Sequence, residues 1–193
     1  MNLGIEKDKE SADVLQRISH DLRERVKELD CLYSISNLFE KPGVTLDEII
    51  KGTLNILPAA LQYPEVTCAQ ITLEKRAFKK DPFKETGWKM SSPILVDGDE
   101  RGSLEVFYTD ERPKSDEGPF LKEERTLIDA VAEKLGRLIW IKLAESSLKE
   151  SEERYRILAE KVADGVALLQ EGRFLFVNRA FVSIFGFRNA EDL

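Results

Sequence analysis

The chain has 193 residues, of which 42% are apolar and 34% are charged, and its formal net charge is −7. These values allow one domain, or one domain and part of a second, with long solvent-exposed helices. The negative charge argues against a nucleic-acid-binding surface and against docking on an anionic membrane, because both need clustered basic residues. We therefore expect neither nucleic acid nor a membrane among the partners.

The cysteines, Cys31 and Cys68, form neither a metal-binding motif nor a disulfide framework. We expect both to be buried thiols in a reducing cytoplasm. No apolar run approaches the ~20 residues of a membrane-spanning helix. The N-terminus is charged where a signal peptide would be apolar. The sequence thus predicts a cytoplasmic location and no metal site.

The first predicted element is one long helix from about Ser11 to Glu40, which ends before the helix-breaking pair Pro42-Gly43. Its apolar residues follow the three- and four-residue steps of a heptad, interrupted by Arg25. Such a narrow apolar stripe needs a partner helix, so we predict a parallel coiled-coil homodimer. The predicted seam residues are Leu15, Ile18, Leu22, Leu29 and Leu32.

A shorter helix follows, and Thr45 and Glu48 at its start have the spacing of a capping box. The pattern then changes to alternating apolar and polar residues, which predicts strands. The segment DGDERG at 97–102 is a strong hairpin signal, because its glycines permit positive φ. The middle of the chain is thus predicted to be an antiparallel sheet with helices before and after it. The predicted strands are 66–74, 88–96 and 103–109.

A second long helix is predicted from near Leu121 to about Lys161. Its heptad-spaced apolar residues predict a second seam, which would join the first seam in one bundle of the dimer. The alternative is that this stripe packs on the chain's own sheet. The predicted seam residues of this helix are Ile128, Val131, Leu135 and Leu138.

The last part of the chain predicts two short strands, GVALLQ and RFLFVN, joined by a turn at Glu171-Gly172 and followed by a short helix. A stable sheet needs at least three strands or a covering layer. We therefore predict that residues 153–193 are not an independent, ligand-competent domain and bind no flavin or haem.

Four separated blocks, LYSISNLFEKPG, ITLE, GSLEVFYTDERP and GPFLKEERTLIDAVAEKLGRLI, occur in the order typical of GAF domains of prokaryotic sensor proteins. Residues 31–142 resemble such a domain. The resemblance implies an α+β fold and a small-molecule cavity between the sheet and its covering helices. Haem is an open alternative as cofactor, with a cysteine as axial ligand. The candidate cavity residues, which could equally be ordinary core or surface residues, are Cys68, Gln70, Trp88 and Met90.

Residues from Tyr155 onward resemble the opening of a PAS domain. Asp164-Gly165 precedes the first strand, and Asn178 opens the following helix. Ala180-Phe181 and then Gly186-Phe187 complete the pattern. A whole PAS domain is much longer, so the resemblance implies an incomplete α+β unit whose remaining part lies outside this sequence.

His20 is the only histidine, and the residues after it, Asp21, Leu22 and Arg23, resemble the phosphoacceptor motif of sensor histidine kinases. That motif usually has a proline six residues after the histidine, where this chain has Val26. The sequence contains neither a hairpin partner helix nor an ATP-binding motif. We expect that His20 accepts no phosphate.

Nucleophilic triads also need a histidine, so we predict no catalytic site in this chain. Acidic runs such as KEER at 122–125 are predicted to be solvated helix faces. The overall prediction is an α+β sensory and dimerisation module of a cytoplasmic signal-transduction protein. A ligand or a redox change would shift the flanking dimeric helices and act on an output domain outside this chain.

Two other functions stay open: the N-terminal fragment of a sensor histidine kinase of a two-component system, and a dimerising scaffold without ligand. The scaffold would fill its pocket with its own side chains. The predicted divisions are a signalling helix at 1–30, the GAF-like domain at 31–142, a helical linker at 143–152 and the incomplete PAS-like unit at 153–193.

Overall fold

The computed structural model describes residues 3–189, with the side chains of residues 3–14, 17, 20 and 21 outside the described set. The chain divides into two compact units, unit 1 at Met1–Ile141 and unit 2 at Lys142–Leu193. The α-helices of this range are α1 (Leu3–Phe39), α2 (Leu46–Ile56), α3 (Lys122–Lys161) and α4 (Arg179–Phe185). Its strands are β1 (Thr67–Leu73), β2 (Arg76–Lys79), β3 (Lys89–Val96), β4 (Asp99–Tyr108), β5 (Ala167–Gln170) and β6 (Arg173–Val177).

Unit 1 contains one antiparallel sheet with the strand order β2–β1–β4–β3. The predicted α+β class and the three predicted strands are confirmed. Strand β2 was not predicted, because its short segment RAFK buries only Phe78. A two-residue turn, in which Glu74 has a φ of 54°, joins β2 to β1.

The local signals around the sheet act as the sequence predicts. Thr45 and Glu48 form the capping box at the start of α2, with the Glu48 amide donating to the Thr45 hydroxyl at 3.3 Å. β3 and β4 are joined at Asp97 and Gly98, whose φ values of 54° and 83° match a two-residue hairpin turn. Strand β4 begins at Asp99, inside the segment predicted to be turn.

Helix α3 packs on the sheet of its own unit, which corrects the predicted second dimer seam. Its apolar stripe is wider than a coiled-coil seam, because Leu127, Ala132 and Ile139 are buried beside the predicted residues. The alternative that the sequence left open is therefore right. The predicted seam residues Ile128, Val131, Leu135 and Leu138 all lie in the core of unit 1, with at most 8% of their surface exposed.

The outer edge of β3 lies against α3. Ser91, Pro93 and Leu95 are alternate residues of β3, so their backbone groups face the same edge. The Arg125 guanidinium donates to the Ser91 carbonyl at 2.7 Å. Gly136 lies against the Leu95 carbonyl so closely that a Cβ at this position would be 2.0 Å from the oxygen. Only glycine allows this approach of α3 to β3.

Unit 2 contains the end of α3, the antiparallel pair β5–β6 and helix α4. The predicted strands are confirmed, and so is the predicted turn, where Glu171 and Gly172 have φ values of 51° and 78°. Most of its large apolar side chains from β5 onward are exposed. These are Leu168, Leu169, Phe174, Leu175, Ile184, Phe185 and Phe187.

The four-part domain division stays a prediction. Its first boundary, after residue 30, lies inside α1, and its linker at 143–152 lies inside α3. Helix α3 runs without a break from unit 1 into unit 2.

Candidate functional site

The four candidate cavity residues do not line one cavity. Cys68 and Gln70 pair with Phe107 and Glu105 on the sheet face that points away from the helices. Met90 is on the opposite face and is 1% exposed in the core. Trp88 packs partly buried against the same core. The sequence signal could not reveal this, because strand register decides which alternate residues share a face.

The outer sheet face carries a chain of polar contacts. Gln70 donates through Nε2 to Glu105 at 3.2 Å, and Lys89 pairs with the same carboxylate at 2.9 Å. This hydrogen bond to Glu105 raises the pKa of Lys89. At one end of the face, a cavity of about 390 Å³ is lined by Cys68 and the segment 80–84. The Cys68 thiol donates to the Lys84 carbonyl at 3.3 Å.

Both cysteines are buried, as predicted. Burial raises the pKa of the Cys31 thiol to about 11, so this group is protonated at neutral pH. A protonated, buried thiol is a poor nucleophile.

A buried acid lies on the core side of the sheet. Glu124 is 2% exposed and accepts hydrogen bonds from the Tyr108 hydroxyl at 2.6 Å and from the Gln62 amide at 2.8 Å. The Tyr108 ring stacks on Phe120 with a centroid distance of 4.4 Å. Burial, and then the hydrogen bond to Glu124, raises the pKa of Tyr108 far above its usual range. The prediction that the KEER run is a solvated face is wrong for Glu124.

A cavity of about 830 Å³ lies between α3 and β3 in unit 1, and we call it the α3–β3 groove. Its lining is mainly apolar and includes the carboxylates of Asp97, Asp129 and Glu133. Its size is within the range of small-molecule sites. The groove is lined by Ser92, Pro93, Leu95, Asp97 and Gly98 of β3 and its turn, and by Asp129, Glu133, Gly136, Arg137, Trp140 and Ile141 of α3.

A second exposed feature is the α1 stripe, an apolar row on the side of α1 opposite its buried residues Cys31 and Ile35. It retains most of the predicted first seam, but Leu32 packs against the core of unit 1 instead. Helices that are apolar on two sides are normally covered on both. The α1 stripe consists of Leu15, Ile18, Leu22, Val26, Leu29 and Tyr33, which are between 49% and 68% exposed.

Asn178 organises unit 2. Its side-chain oxygen accepts from the Phe181 amide at 2.8 Å, which makes it the N-cap of α4, and from the Val166 amide at 2.9 Å. Its amide nitrogen donates to the carbonyls of Ala159 and Asp164, each at 2.9 Å. The fully buried Asn178 thus joins the end of α3, the start of the hairpin and α4. The prediction that Asn178 opens the helix is confirmed.

The remaining predictions concern His20, metal binding and membrane spans. His20 lies in α1, but its side chain is outside the described residues, so its lack of phosphorylation stays a prediction. Among the side chains that the structure describes, no group of three or more His, Cys, Asp or Glu is placed to hold a metal ion. The helices in the described part of the chain are all too short or too polar to cross a membrane.

A family model described as PAS domain matches residues 153–193. The matched segment includes β5, β6, α4 and the Asn178 contacts. The match suggests a sensory or signalling module. No curated protein matches the chain. The predicted PAS resemblance is thus confirmed, and the GAF resemblance of residues 31–142 stays a prediction.

Proposed function

We propose that this chain is a sensory and relay module of a cytoplasmic signal-transduction protein. In this proposal unit 1 is a GAF-like input domain that binds a small ligand in the α3–β3 groove. Helix α3 carries the resulting change to unit 2, and an output domain outside this chain reads it. The chain acts as a homodimer through the exposed apolar side of α1 and carries no catalytic site of its own.

The observation that supports this proposal best is the course of α3. Its first half forms one wall of the groove and part of the core of unit 1. Its last turns carry the carbonyl of Ala159, to which the central Asn178 of the PAS-matched segment donates. A change of the helix at the groove therefore has a covalent and hydrogen-bonded path to the hairpin of unit 2.

A ligand is a better input than a redox change. Both thiols are buried, and the raised pKa of Cys31 keeps its thiol protonated at neutral pH. Haem ligation by Cys68 would have to displace the Lys84 carbonyl from its thiol.

One observation favours the dimerising scaffold as the second function. The predicted pocket residues are split between two faces of the sheet, and Met90 is part of the close-packed core. A scaffold would use the α1 stripe and would need no ligand. The sensor histidine kinase would require its phosphoacceptor and ATP-binding parts outside this chain.

The relay can be tested by displacing α3 at the groove. Gly136→Ala places a Cβ 2.0 Å from the Leu95 carbonyl, so the helix must move away from β3. We expect hydrogen exchange of the β5–β6 amides to change by roughly threefold or more, because local opening reports small shifts in stability. Gly87→Ala is the matched control, since nothing lies within 4 Å of the added Cβ.

Two insertion variants of α3 test whether this helix transmits the effect of Gly136→Ala to unit 2. Insertion of several glycines after Lys149, in the exposed part of α3, should abolish the response of β5–β6 to Gly136→Ala. The same number of alanines keeps the helix continuous and should preserve the response. An equal response in the glycine-interrupted chain, or no response in the uninterrupted one, would reject the relay.

A further inference from the structure

The α3–β3 groove has an uncompensated negative charge beside an exposed aromatic ring. Arg125 pairs with Asp129 at 3.4 Å, and Arg137 pairs with Glu133. Two of the three carboxylates that line the groove thus have an arginine partner, and Arg125 is shared between Asp129 and Glu117 outside the groove. The third, Asp97, has no ion pair or hydrogen bond of its carboxylate among the described residues.

Two contacts fix how α3 and β3 run beside each other. Arg125 reaches Ser91 and Gly136 lies against Leu95, so the helix and the strand run in the same direction. Trp140 lies one helical turn, about 6 Å, beyond Gly136. Asp97 lies two residues beyond Leu95, in the turn that follows β3. The indole and the free carboxylate therefore lie at the same end of the groove.

These groups favour one chemical class of ligand. An organic cation is attracted to the face of a tryptophan ring, and this attraction is largest when the cation also loses water. The carboxylate of Asp97 would balance the charge of the cation, while Pro93, Leu95 and Ile141 offer apolar surface to the rest of the molecule. About half of the Trp140 side chain is exposed and available for such contact.

We propose that the α3–β3 groove binds a small organic cation with an apolar body, its ammonium group lying between Trp140 and Asp97. An anionic ligand of the same shape is disfavoured, because Asp97 would repel it. This inference deepens the proposed sensory function by naming the ligand class of its input site.

The test is an NMR titration of the full chain with hexyltrimethylammonium. The chain has two tryptophans, Trp88 and Trp140, so their indole N–H signals provide an internal comparison. Only Trp140 lines the groove, and its signal should shift while that of Trp88 stays in place. Hexyl glucoside and hexanesulfonate have the same apolar chain and should bind at least ~5-fold more weakly, since each lacks the cation–π and charge contacts.

Two variants test whether the carboxylate of Asp97 contributes to binding of the cation. Asp97→Asn keeps the turn, because asparagine tolerates a positive φ and Asn-Gly is a favoured hairpin turn, and it should weaken the cation ~3–5-fold. Asp99→Asn removes a nearby carboxylate that is 78% exposed and does not line the groove, and should leave the affinity unchanged. Equal effects of the two variants, equal binding of the three ligands, or no shift at Trp140 would each overturn the proposal.

The outcomes for the site and for the relay can be separated. Binding of the cation without any change in β5–β6 hydrogen exchange would reject the relay and leave the site standing. Equal binding of cation and neutral ligand, with a change in β5–β6, would reject the cation preference and support the sensory role.

Discussion

Units 1 and 2 are built from the same kinds of elements, yet only unit 1 covers its apolar residues. Both contain antiparallel hairpins beside part of α3. In unit 1, a four-stranded sheet is covered by α1, α2 and α3, and core residues such as Ile71 and Leu104 are fully buried. In unit 2, the two strands have no such layer, and Leu168 and Phe185 are more than half exposed. The covering layer, rather than the apolar content, separates the two regions.

The same difference runs along α3. Its residues Val131 and Leu135 are completely buried, whereas Leu148 and Tyr155 further along the helix are 63% and 70% exposed. Each pair is separated by a heptad-compatible step, of four and seven residues respectively, but the two pairs lie on different faces of α3. Spacing thus indicates an apolar face but does not indicate what covers it.

The largest expected effect is the difference in stability between two leucine-to-alanine variants, one in each unit. Leu135→Ala should lower the free energy of unfolding by about 2–5 kcal/mol, because the fully buried side chain leaves a cavity. Leu168→Ala removes a side chain that is 56% exposed and should change stability by less than about 0.5 kcal/mol. Urea unfolding followed by circular dichroism measures both. Similar effects for the two variants would contradict the comparison.

The next effect concerns association. In the proposed homodimer the α1 stripe is buried, so Leu22→Lys with Leu29→Lys should weaken self-association at least ~100-fold, because each buried leucine is worth ~1.5–3 kcal/mol. Unit 1 should stay folded, since neither residue is part of its core. Sedimentation velocity measures the mass.

Gln16→Lys with Asn55→Lys is the matched control for the α1 stripe. Gln16 is exposed on α1 away from the stripe and Asn55 is exposed on α2, and the two substitutions add the same charge. A wild-type chain that is already monomeric at high micromolar concentration would contradict the dimeric geometry.

The smallest effect lies within unit 2. Asn178→Ala removes the N-cap of α4 and the contacts to α3 and the hairpin, and should destabilise unit 2 locally by about 1–3 kcal/mol. Hydrogen exchange should rise in β5, β6 and α4 and stay constant in unit 1. Asn55→Ala, at an exposed position of α2, is the control and should have no such effect. Strong protection of 174–178 that does not depend on concentration in the wild type would show that unit 2 folds without a partner.

The elements of the fold were predictable where their signals are local. The capping box at Thr45, the turn at Asp97-Gly98 and the N-cap at Asn178 depend on neighbouring residues only. Strand β2 was missed because four residues with a single buried side chain do not show a period.

The site was less predictable because its geometry depends on distant pairing. The core position of Glu124 requires Tyr108, which β4 places beside it. The separation of Cys68 from Met90 follows from the registers of β1 and β3 on β4. The α3–β3 groove exists because Gly136 brings the helix close to Leu95, and no spacing within α3 alone encodes that contact.

The covered edge of β3 also affects how copies of this chain can meet. Exposed sheet edges are templates for aggregation. On β3, Pro93 has no N–H group to donate, Arg125 occupies the Ser91 carbonyl and Gly136 lies over the Leu95 carbonyl. The other edge strand, β2, is only four residues long and carries Arg76 and Lys79. Concentrated solutions of unit 1 should therefore resist β-type fibril formation, a property that thioflavin fluorescence would monitor.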